Sequence, residues 1–211
     1  TDKEAGHRGM SIFIVERDDP GFSSGPKEHK MGQRASQVGA LNFDDVPLSA
    51  DALRGPENRG FHIMMSILEK GRVGIGALAV GIVQAALDAS IDYAKTRRQF
   101  GQTIGEFQGV QWMLADMATE IDAGRLLLYR ACARKDAGKP FGPEAAKAKL
   151  YCSRLSTRVA DQAVQIHGGD GYSKEDDVER YYRDAKVTEI YEGTSEVQRM
   201  VISRAVLSQP A

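Results

Sequence analysis

The residues best suited to chemistry stand in the segment IYEGTSEVQR, residues 190–199, where a glutamate precedes a glycine and two hydroxyl residues. Ser195 and Gln198 have the spacing of a capping box, and Thr194 is an alternative N-cap, so the pattern predicts that the last helix begins here. The carboxylate of Glu192 would then lie just outside a helix N-terminus, whose free N–H groups attract anions and carbonyl oxygens. A glutamate that only offsets the helix dipole or faces water has the same spacing, so the pattern alone leaves both interpretations open.

Metal-ligating residues do not form the pattern of a helical-bundle metal site in this sequence. Helical bundles can hold two metal ions through inward glutamates and Glu-x-x-His pairs. That spacing occurs at Glu4 and His7, in a glycine-flanked segment predicted to be non-helical. Cys132 and Cys152 have no CxxC spacing and fall on apolar faces of helical segments, which favours small core residues in a reducing compartment. We therefore expect no metal and no disulfide.

Composition and charge restrict the class of protein. The 211 residues include 28 Lys and Arg against 29 Asp and Glu, without a long block of one sign, so we expect no nucleic-acid partner. Residues 73–90 are weakly charged but rich in Gly and Ala, which favours the buried helix of a soluble protein over a membrane span. The first residues show neither an initiating Met nor a signal pattern, so we expect the chain to begin inside a longer protein.

The elements that must position these residues change in character near Gly60. Before it, residues 10–16 and 39–48 carry β-branched and aromatic side chains between clusters of Gly, Pro, Asp and Ser, which predicts strands joined by long turns. After it, helical periodicity dominates. The predicted helices span residues 60–97, 105–136, 143 to the glycine pair at 168–169, 174–189, and from just after 193 to about 207.

Two of these helices have a clear apolar face. The second and third predicted helices place apolar or small residues at alternating steps of three and four. The faces comprise Val110, Leu114, Met117, Ile121, Gly124 and Leu128, and Ala148, Cys152, Leu155, Val159, Ala163 and Ile166. Long antiparallel helices with short connections form a bundle, so we predict a mainly α fold. In it, a C-terminal antiparallel four-helix-bundle-type domain, residues 60–211, follows a partial antiparallel β-domain, residues 1–59.

Four segments resemble the motifs of acyl-CoA dehydrogenases, in the same order along the chain. They are EAGHRGMSIFIVE (4–16), RRQFGQTIGEFQ (97–108), QIHGGDGY (165–172) and YYRDAKVTEIYEGTSEVQR (181–199). The resemblance covers essentially the whole chain, as the second half of the family's middle β-domain followed by its C-terminal helical domain. The parts of the family's fold that precede these motifs are not in this sequence, so we expect the chain to be part of a longer enzyme.

The resemblance implies a FAD-dependent oxidoreductase of fatty acid metabolism and β-oxidation, which converts an acyl-CoA thioester to the trans-2-enoyl-CoA. It assigns Glu192 as the base that removes the α-proton, while the β-hydrogen leaves as hydride to FAD. Removing this weakly acidic proton requires a carboxylate in a dry site and hydrogen bonds to the developing enolate oxygen. Some branched-chain members carry their base on an earlier helix, at a position that corresponds to Gly71, so Glu192 is the predicted base.

The resemblance also implies contacts with FAD and with the substrate. Two motifs would reach the FAD of a neighbouring subunit, and the residues after the base would contact the FAD of the same subunit. The predicted contacts are Arg97, Arg98, Gln99, Phe100, Gln108, Gln165, Ile166, His167, Gly168 and Gly169 for the neighbouring FAD, Thr194, Ser195 and Glu196 for the FAD of the same subunit, and Glu69, Arg72 and Gly193 for the substrate.

Simpler interpretations stay open for several of these residues. Arg97 and Arg98 have the position of cations that favour a helix C-terminus. Glu69 and Arg72 have the i, i+3 spacing of an ion pair. His167 is interpreted as a spacing and packing residue, because a lone histidine is usually structural.

Partners also follow from the resemblance. FAD contacts from two subunits imply a homo-oligomer, a dimer or a tetramer built from two dimers, and the expected electron acceptor is electron-transferring flavoprotein. We expect a cytoplasmic enzyme if the source is bacterial and a mitochondrial-matrix enzyme if it is eukaryotic, with short- or medium-chain acyl-CoA as substrate. The alternatives are an acyl-CoA oxidase, a non-catalytic FAD- or acyl-CoA-binding subunit, and a fragment of a larger complex. Retention of Glu192 and of the FAD motifs favours the dehydrogenase.

Overall fold

The computed structural model describes residues 1–208 of the chain. It divides into two compact units, Thr1–Leu68 and Glu69–Ala211, and the boundary falls inside the first long helix. The predicted division into family domains, after residue 59, stays a prediction, because compact units and family domains are different divisions of a chain. The mainly α fold class is confirmed.

Five α-helices and four short strands make up the regular structure of the described residues. The helices are α1 (Gly60–Thr96), α2 (Gln108–Asp136), α3 (Gly142–His167), α4 (Asp177–Lys186) and α5 (Ser195–Leu207). The strands are β1 (Phe22–Ser24), β2 (Leu41–Phe43), β3 (Arg98–Gln99) and β4 (Gln102–Thr103). Single 3₁₀ turns occur at Gly6–Gly9, Ala50–Ala52, Ile104–Glu106, Asp170–Tyr172 and Val187–Glu189.

The first unit contains one antiparallel pair, β1 with β2, in which Phe22 lies opposite Phe43. The prediction of a strand over residues 10–16 was wrong, since only Phe13 forms a bridge, with Leu53. A strand requires a partner that pairs with it over several residues. Here the pairing is limited to two hydrogen bonds, from the Ile14 and Arg54 N–H groups, on either side of that single bridge. Residues 22–24, which the turn-rich composition assigned to a loop, form a strand instead, because the segment at 41–43 pairs with them.

The second unit is built around α3. The apolar faces predicted for α2 and α3 are confirmed, because Met117, Ile121, Leu155 and Val159 are buried in one core with Val83 of α1. The small residues of α3 are buried as well, and burial raises the pKa of the Cys152 thiol to about 12. Cys152 is therefore an inert core residue.

Local capping explains where the helices begin and end. The predicted start of the second helix at residue 105 is too early, because Thr103 and Glu106 form a capping box that closes a separate 3₁₀ turn before α2. α3 ends where Gly168 takes a φ of 60°, a backbone conformation that glycine adopts without steric cost. α4 begins at its N-cap, Asp176, whose side chain accepts a hydrogen bond from the Val178 N–H.

α1 is long and apolar enough to cross a bilayer by length and composition alone. The core helix of a soluble protein passes the same test, and only part of the apolar stretch is buried. Ala79, Val83 and Ala86 are fully buried within the second unit. These residues follow the helical period, so this face of α1 belongs to the helical core.

Candidate active site

Glu192 stands at the entry to α5, one residue before a glycine and two before the N-cap. Thr194 is that N-cap, and its side chain accepts a hydrogen bond from the Val197 N–H at 3.4 Å. Ser195 is the first helical residue, so the alternative cap is confirmed and the Ser195–Gln198 capping box is not formed. The predicted start of the last helix is confirmed. The Glu192 side chain therefore lies beside the N-terminus of α5, which attracts negative charge.

The backbone at this bend is in an unusual conformation. Glu192 has a φ of 54° and Gly193 a φ of 88°, so two consecutive residues lie in the left-handed region. Glycine adopts this conformation freely, whereas a residue with a side chain loses about 1–2 kcal/mol. Strained residues of this kind cluster at functional sites, where the surrounding structure holds them.

The carboxylate of Glu192 lies against the backbone of Gly71 in α1. A β-carbon added to Gly71 would lie 2.9 Å from the Glu192 carboxyl carbon and still closer to its Oε2 oxygen. Glycine at position 71 therefore makes the space that the carboxylate occupies. The Oε2 atom is buried and has no hydrogen-bond partner among the described residues. An unpaired buried oxygen is costly in a folded protein, which is a reason to expect a ligand here.

Two buried side chains hold the carbonyl oxygen of Gly193. Lys149 Nζ of α3 donates to it at 2.7 Å, and Gln198 Nε2 of α5 donates to it at 2.8 Å. Gln198 Nε2 also donates to the Glu192 carbonyl oxygen at 3.3 Å. Both Lys149 and Gln198 are fully buried. The bend that carries Glu192 is therefore fastened from within its own helix and from α3.

Lys149 is a functional residue that the sequence motifs do not identify. Its signal was a charged residue within the small-residue face of α3, close to Ala145, Ala148 and Cys152, where an apolar residue would be expected. Desolvation by burial lowers the pKa of Lys149 to about 8, and the nearby positive charge of Arg72 acts in the same direction. The carboxylates of Glu189, Glu192 and Glu196 partly oppose that fall.

Further polar atoms around the bend are buried without a partner in the described residues. They are Arg72 Nε, Ser195 Oγ and Gln198 Oε1. A buried polar atom left unpaired costs about 1–3 kcal/mol, so several of them together indicate a place built for a polar ligand. Arg72 and Ser195, predicted for substrate and FAD, thus lie in the same group of unpaired polar atoms as Glu192.

Glu69, which was predicted to contact the substrate, lies at the start of α3. Among the described residues no ion pair joins Glu69 to Arg72. The Glu69 carboxylate lies instead against Gly142, where an added β-carbon would be 2.7 Å from Oε1. Gly142 is the first residue of α3, so Glu69 has the position of an anion at a helix N-terminus.

The motifs predicted for the neighbouring FAD are brought together at the C-terminal end of α3. Tyr93 donates to Asp170 Oδ2 at 2.6 Å and stacks on His167 with 4.3 Å between ring centroids. Arg97 Nη1 lies 3.8 Å from the same Asp170 oxygen. Asp170 therefore links the loop after α1 to the glycine turn after α3.

The histidine in this group has a structural environment. His167 is buried, and its Nδ1 lies 2.8 Å from the Ala163 carbonyl oxygen. Its Nε2 lies 3.9 Å from an Asp176 oxygen. These contacts and the stacking on Tyr93 agree with its interpretation as a packing residue.

The hairpin β3–β4 carries three more of the predicted contacts, Arg98, Gln99 and Phe100. Phe100 is at its tip with a φ of 53°, and its side chain is 92% exposed. Arg98 donates to the Gly101 carbonyl oxygen at 2.9 Å. The Phe100 ring at the tip of this hairpin is therefore open to contact with a ligand or a second chain.

Comparison with known proteins identifies a family model that matches most of the chain. Residues 58–207 match the family model described as acyl-CoA dehydrogenase, C-terminal domain. The chain is 48% identical over 209 residues to the acryloyl-CoA reductase (NADH) of Anaerotignum propionicum, covering 99% of this chain and 53% of that protein.

Solved structures are similar over the same extent. The butyryl-CoA dehydrogenase of Megasphaera elsdenii superposes with a TM-score of 0.96 at 48% identity, covering 98% of this chain and 54% of that chain. A chain from a structure described as an electron transferring flavoprotein of Acidaminococcus fermentans superposes with a TM-score of 0.97 at 47% identity, covering 99% of this chain and 55% of that chain. This chain thus spans about half the length of these relatives.

Proposed function

This chain belongs to the acyl-CoA dehydrogenase family, and from that membership we propose that the protein oxidises an acyl-CoA thioester to the trans-2-enoyl-CoA with FAD as cofactor. One observation supports this more than any other: the Glu192 carboxylate is held on a left-handed bend against Gly71, with a buried oxygen that has no partner in the described residues. A carboxylate in that condition is suited to accept a proton from carbon.

Glu192 is the proposed base for the α-proton. The negative charge that develops on the thioester oxygen requires a nearby hydrogen-bond donor. The N–H of Glu192 makes no backbone hydrogen bond within the described residues, so it is available for that oxygen. One residue then supplies both the base and an oxyanion donor, which places the two groups in a constant relation to each other.

The polar atoms around the bend fit a flavin cofactor. Ser195 Oγ is buried without a partner in the described residues, and it lies in the first turn of α5, where backbone N–H groups are free. We propose that Thr194, Ser195 and Glu196 hold the FAD bound by the same subunit. When bound, FAD accepts the β-hydrogen of the substrate as hydride.

The second set of predicted FAD contacts supports a homodimer. Lys149, which contacts the bend, and His167, which lies in the glycine-turn motif, are 18 residues apart on α3, or about 27 Å along the helix. One chain therefore presents the two sets of contacts at places that are far apart along α3. We propose that the contacts from Arg97 to Gln108 and from Gln165 to Gly169 serve the FAD of a second copy, and that dimers pair into a tetramer.

Short acyl chains are the proposed substrates, since the relatives named above act on acryloyl-CoA and butyryl-CoA. Electron-transferring flavoprotein is the proposed electron acceptor, because a chain of very similar fold occurs in a structure of that name. An acyl-CoA oxidase would pass the electrons to oxygen instead, and oxygen consumption during turnover distinguishes the two.

The test uses the complete protein with its flavin, mixed without oxygen with acyl-CoAs of increasing chain length. We expect butyryl-CoA to bleach the flavin absorbance rapidly in the wild-type protein. We expect Glu192→Gln to retain FAD and to bind the thioester. Its rate of flavin bleaching should be lower by about a thousandfold or more, because the proton acceptor is gone. Glu57→Gln, a change of an exposed glutamate, is the matched control. Bleaching at the wild-type rate in Glu192→Gln would remove Glu192 from the role of base.

A further inference from the structure

A fully buried lysine supports the bend that carries the proposed base. The side chain of Lys149 is fully buried, and its ammonium donates to the Gly193 carbonyl oxygen at 2.7 Å. A lysine that is paired at all normally pairs with a carboxylate at the surface. Here the buried ammonium donates instead to a backbone carbonyl, that of Gly193, one residue after Glu192.

Burial of the Lys149 ammonium is energetically unfavourable, so its contact with Gly193 is expected to have a role. Removing an ammonium from water is costly, and a methionine of nearly the same shape would fill the space without that cost. The charged groups around Lys149 are Arg72 from α1, Glu189 from the turn after α4, and Glu192 and Glu196 from the bend and α5. Desolvation by burial, which the three carboxylates only partly oppose, lowers the pKa of Lys149 to about 8, so burying this charge is costly.

The two donors to the Gly193 carbonyl have different mechanical roles. Gln198 lies in α5, five residues after the glycine, so it moves with the bend whenever that segment moves. Lys149 lies in α3, and it is therefore the contact that fastens the Gly193 carbonyl to another helix. The left-handed conformation of Glu192 is unfavourable for a residue with a side chain, so it requires such support.

We propose that Lys149 is a positioning residue that fastens the Gly193 carbonyl to α3 and so keeps the Glu192 carboxylate in its place against Gly71. The inference rests on the proposed function of Glu192 as the base. It adds a residue from a different helix, 43 positions earlier in the chain, on which the geometry of that base depends.

The first test compares Lys149→Met with Lys147→Met in the complete FAD-loaded protein. Both substitutions remove one positive charge from α3, but Lys147 borders a separate cavity with Leu127 and Ile202. We expect Lys149→Met to lower kcat for butyryl-CoA by about ten- to a hundredfold, because a misplaced base loses rate. We expect its KM and FAD content to stay within about twofold of wild type, since no substrate contact is removed. Lys147→Met should behave as wild type.

Several outcomes would overturn the inference. Wild-type kcat in Lys149→Met would do so, and so would an equal loss in Lys147→Met or a rise in KM without a fall in kcat. Should the Met variant fail to fold, Lys149→Gln takes its place, because its shorter amide does not reach Gly193. The same kcat loss in Lys149→Gln supports the inference, and wild-type kcat overturns it.

The second test does not depend on activity. Hydrogen exchange of the peptide that covers residues 190–199 should be faster by about tenfold in Lys149→Met than in Lys147→Met, while peptides from α2 are unchanged. Unchanged exchange at the bend contradicts the inference. If wild-type protein reduces no flavin with any acyl-CoA, the proposed function fails, and hydrogen exchange still decides whether Lys149 holds the bend.

Discussion

The carboxylate of Glu192 occupies the space that a side chain at Gly71 would fill. The added β-carbon would lie 2.9 Å from the carboxyl carbon, which is closer than real β-carbons approach their neighbours. Positions 71 and 192 are distant in the chain but adjoin the same space, and only one of the two residues can place a side chain in it. The relationship gives a direct way to move the proposed base without altering it.

Gly71→Ala should displace the carboxylate and leave the fold intact. The atoms that the new methyl group meets are the far end of a flexible side chain, which can rotate away. We expect the rate of flavin reduction to fall by about ten- to a hundredfold, with FAD content and thermal stability nearly unchanged. Stopped-flow bleaching by butyryl-CoA measures this.

Gly74→Ala is the matched control for that substitution. It lies one turn later in α1, and an added β-carbon there meets nothing within 4 Å. We expect wild-type activity and a gain in stability of up to about 1 kcal/mol from better helix propensity. Equal rates in both variants would show that the carboxylate does not need its place beside residue 71.

Gly193→Ala should destabilise the protein more than an alanine at an unhindered left-handed glycine. Gly193 has a φ of 88°, and its β-carbon would lie 2.7 Å from Gln198 Nε2, one of the two donors to its own carbonyl. We expect a loss of about 2–3 kcal/mol in the free energy of unfolding, from backbone strain plus the disturbed donor. Urea denaturation followed by circular dichroism measures it.

Gly138→Ala separates those two causes. Its φ is 65°, but an added β-carbon meets nothing within 4 Å, so only the backbone strain remains. We expect a loss of about 1 kcal/mol. If the two alanine variants lost the same stability, the contact between Gly193 and Gln198 would be energetically unimportant.

The buried charge of Lys149 predicts a dependence of stability on pH. Burial lowers its pKa from 10.5 to about 8 in the folded state, so between these values the unfolded chain binds more protons than the folded one. Stability from this group therefore rises as pH increases from 8 to 10.5, and it is lost as pH falls through 8. The full effect is about 3 kcal/mol at most.

The measurement compares wild type with Lys149→Met by urea denaturation at several pH values. The difference cancels the pH dependence of all other groups. We expect the variant to be the more stable protein at pH values below 8, and its advantage to shrink as the pH approaches 10.5. A difference independent of pH would mean that Lys149 has an ordinary pKa and is hydrated.

Arg97→Gln should weaken FAD retention without weakening the fold. Arg97 Nη1 lies 3.8 Å from Asp170, and both side chains are about half exposed, so the pair contributes little to stability. We expect the flavin content after gel filtration to fall by about tenfold, because the proposed contact between the Arg97 guanidinium and the FAD of a second copy is lost. The melting temperature of the FAD-free protein should not change.

Lys95→Gln provides the comparison for that variant. Lys95 is an exposed cation in the last turn of α1, two residues before Arg97. It should retain full flavin content, since a charge there only complements the helix dipole. If Arg97→Gln also retained full flavin content, Arg97 would have no larger role than Lys95.

Patterns within single helices were predictable from the sequence. The apolar faces of α2 and α3 follow the helical period, and the start of α5 follows from hydroxyl residues after a glycine, because both are local properties of the chain. Strands were predictable only in part, since the predicted segment 39–48 contains β2. Residues 10–16 have a strand-like composition and form one bridge, since a strand depends on a distant partner that composition does not reveal.

The sequence by itself determined that a glutamate precedes a glycine and a helix N-terminus, and its motifs determined the family. The tertiary structure alone decided what surrounds that glutamate: Gly71 from α1, which leaves room for the carboxylate, and Lys149 from α3, which holds the next carbonyl. The physical reason is that capping and periodicity act over a few residues, whereas steric space and buried hydrogen bonds depend on which helices pack together.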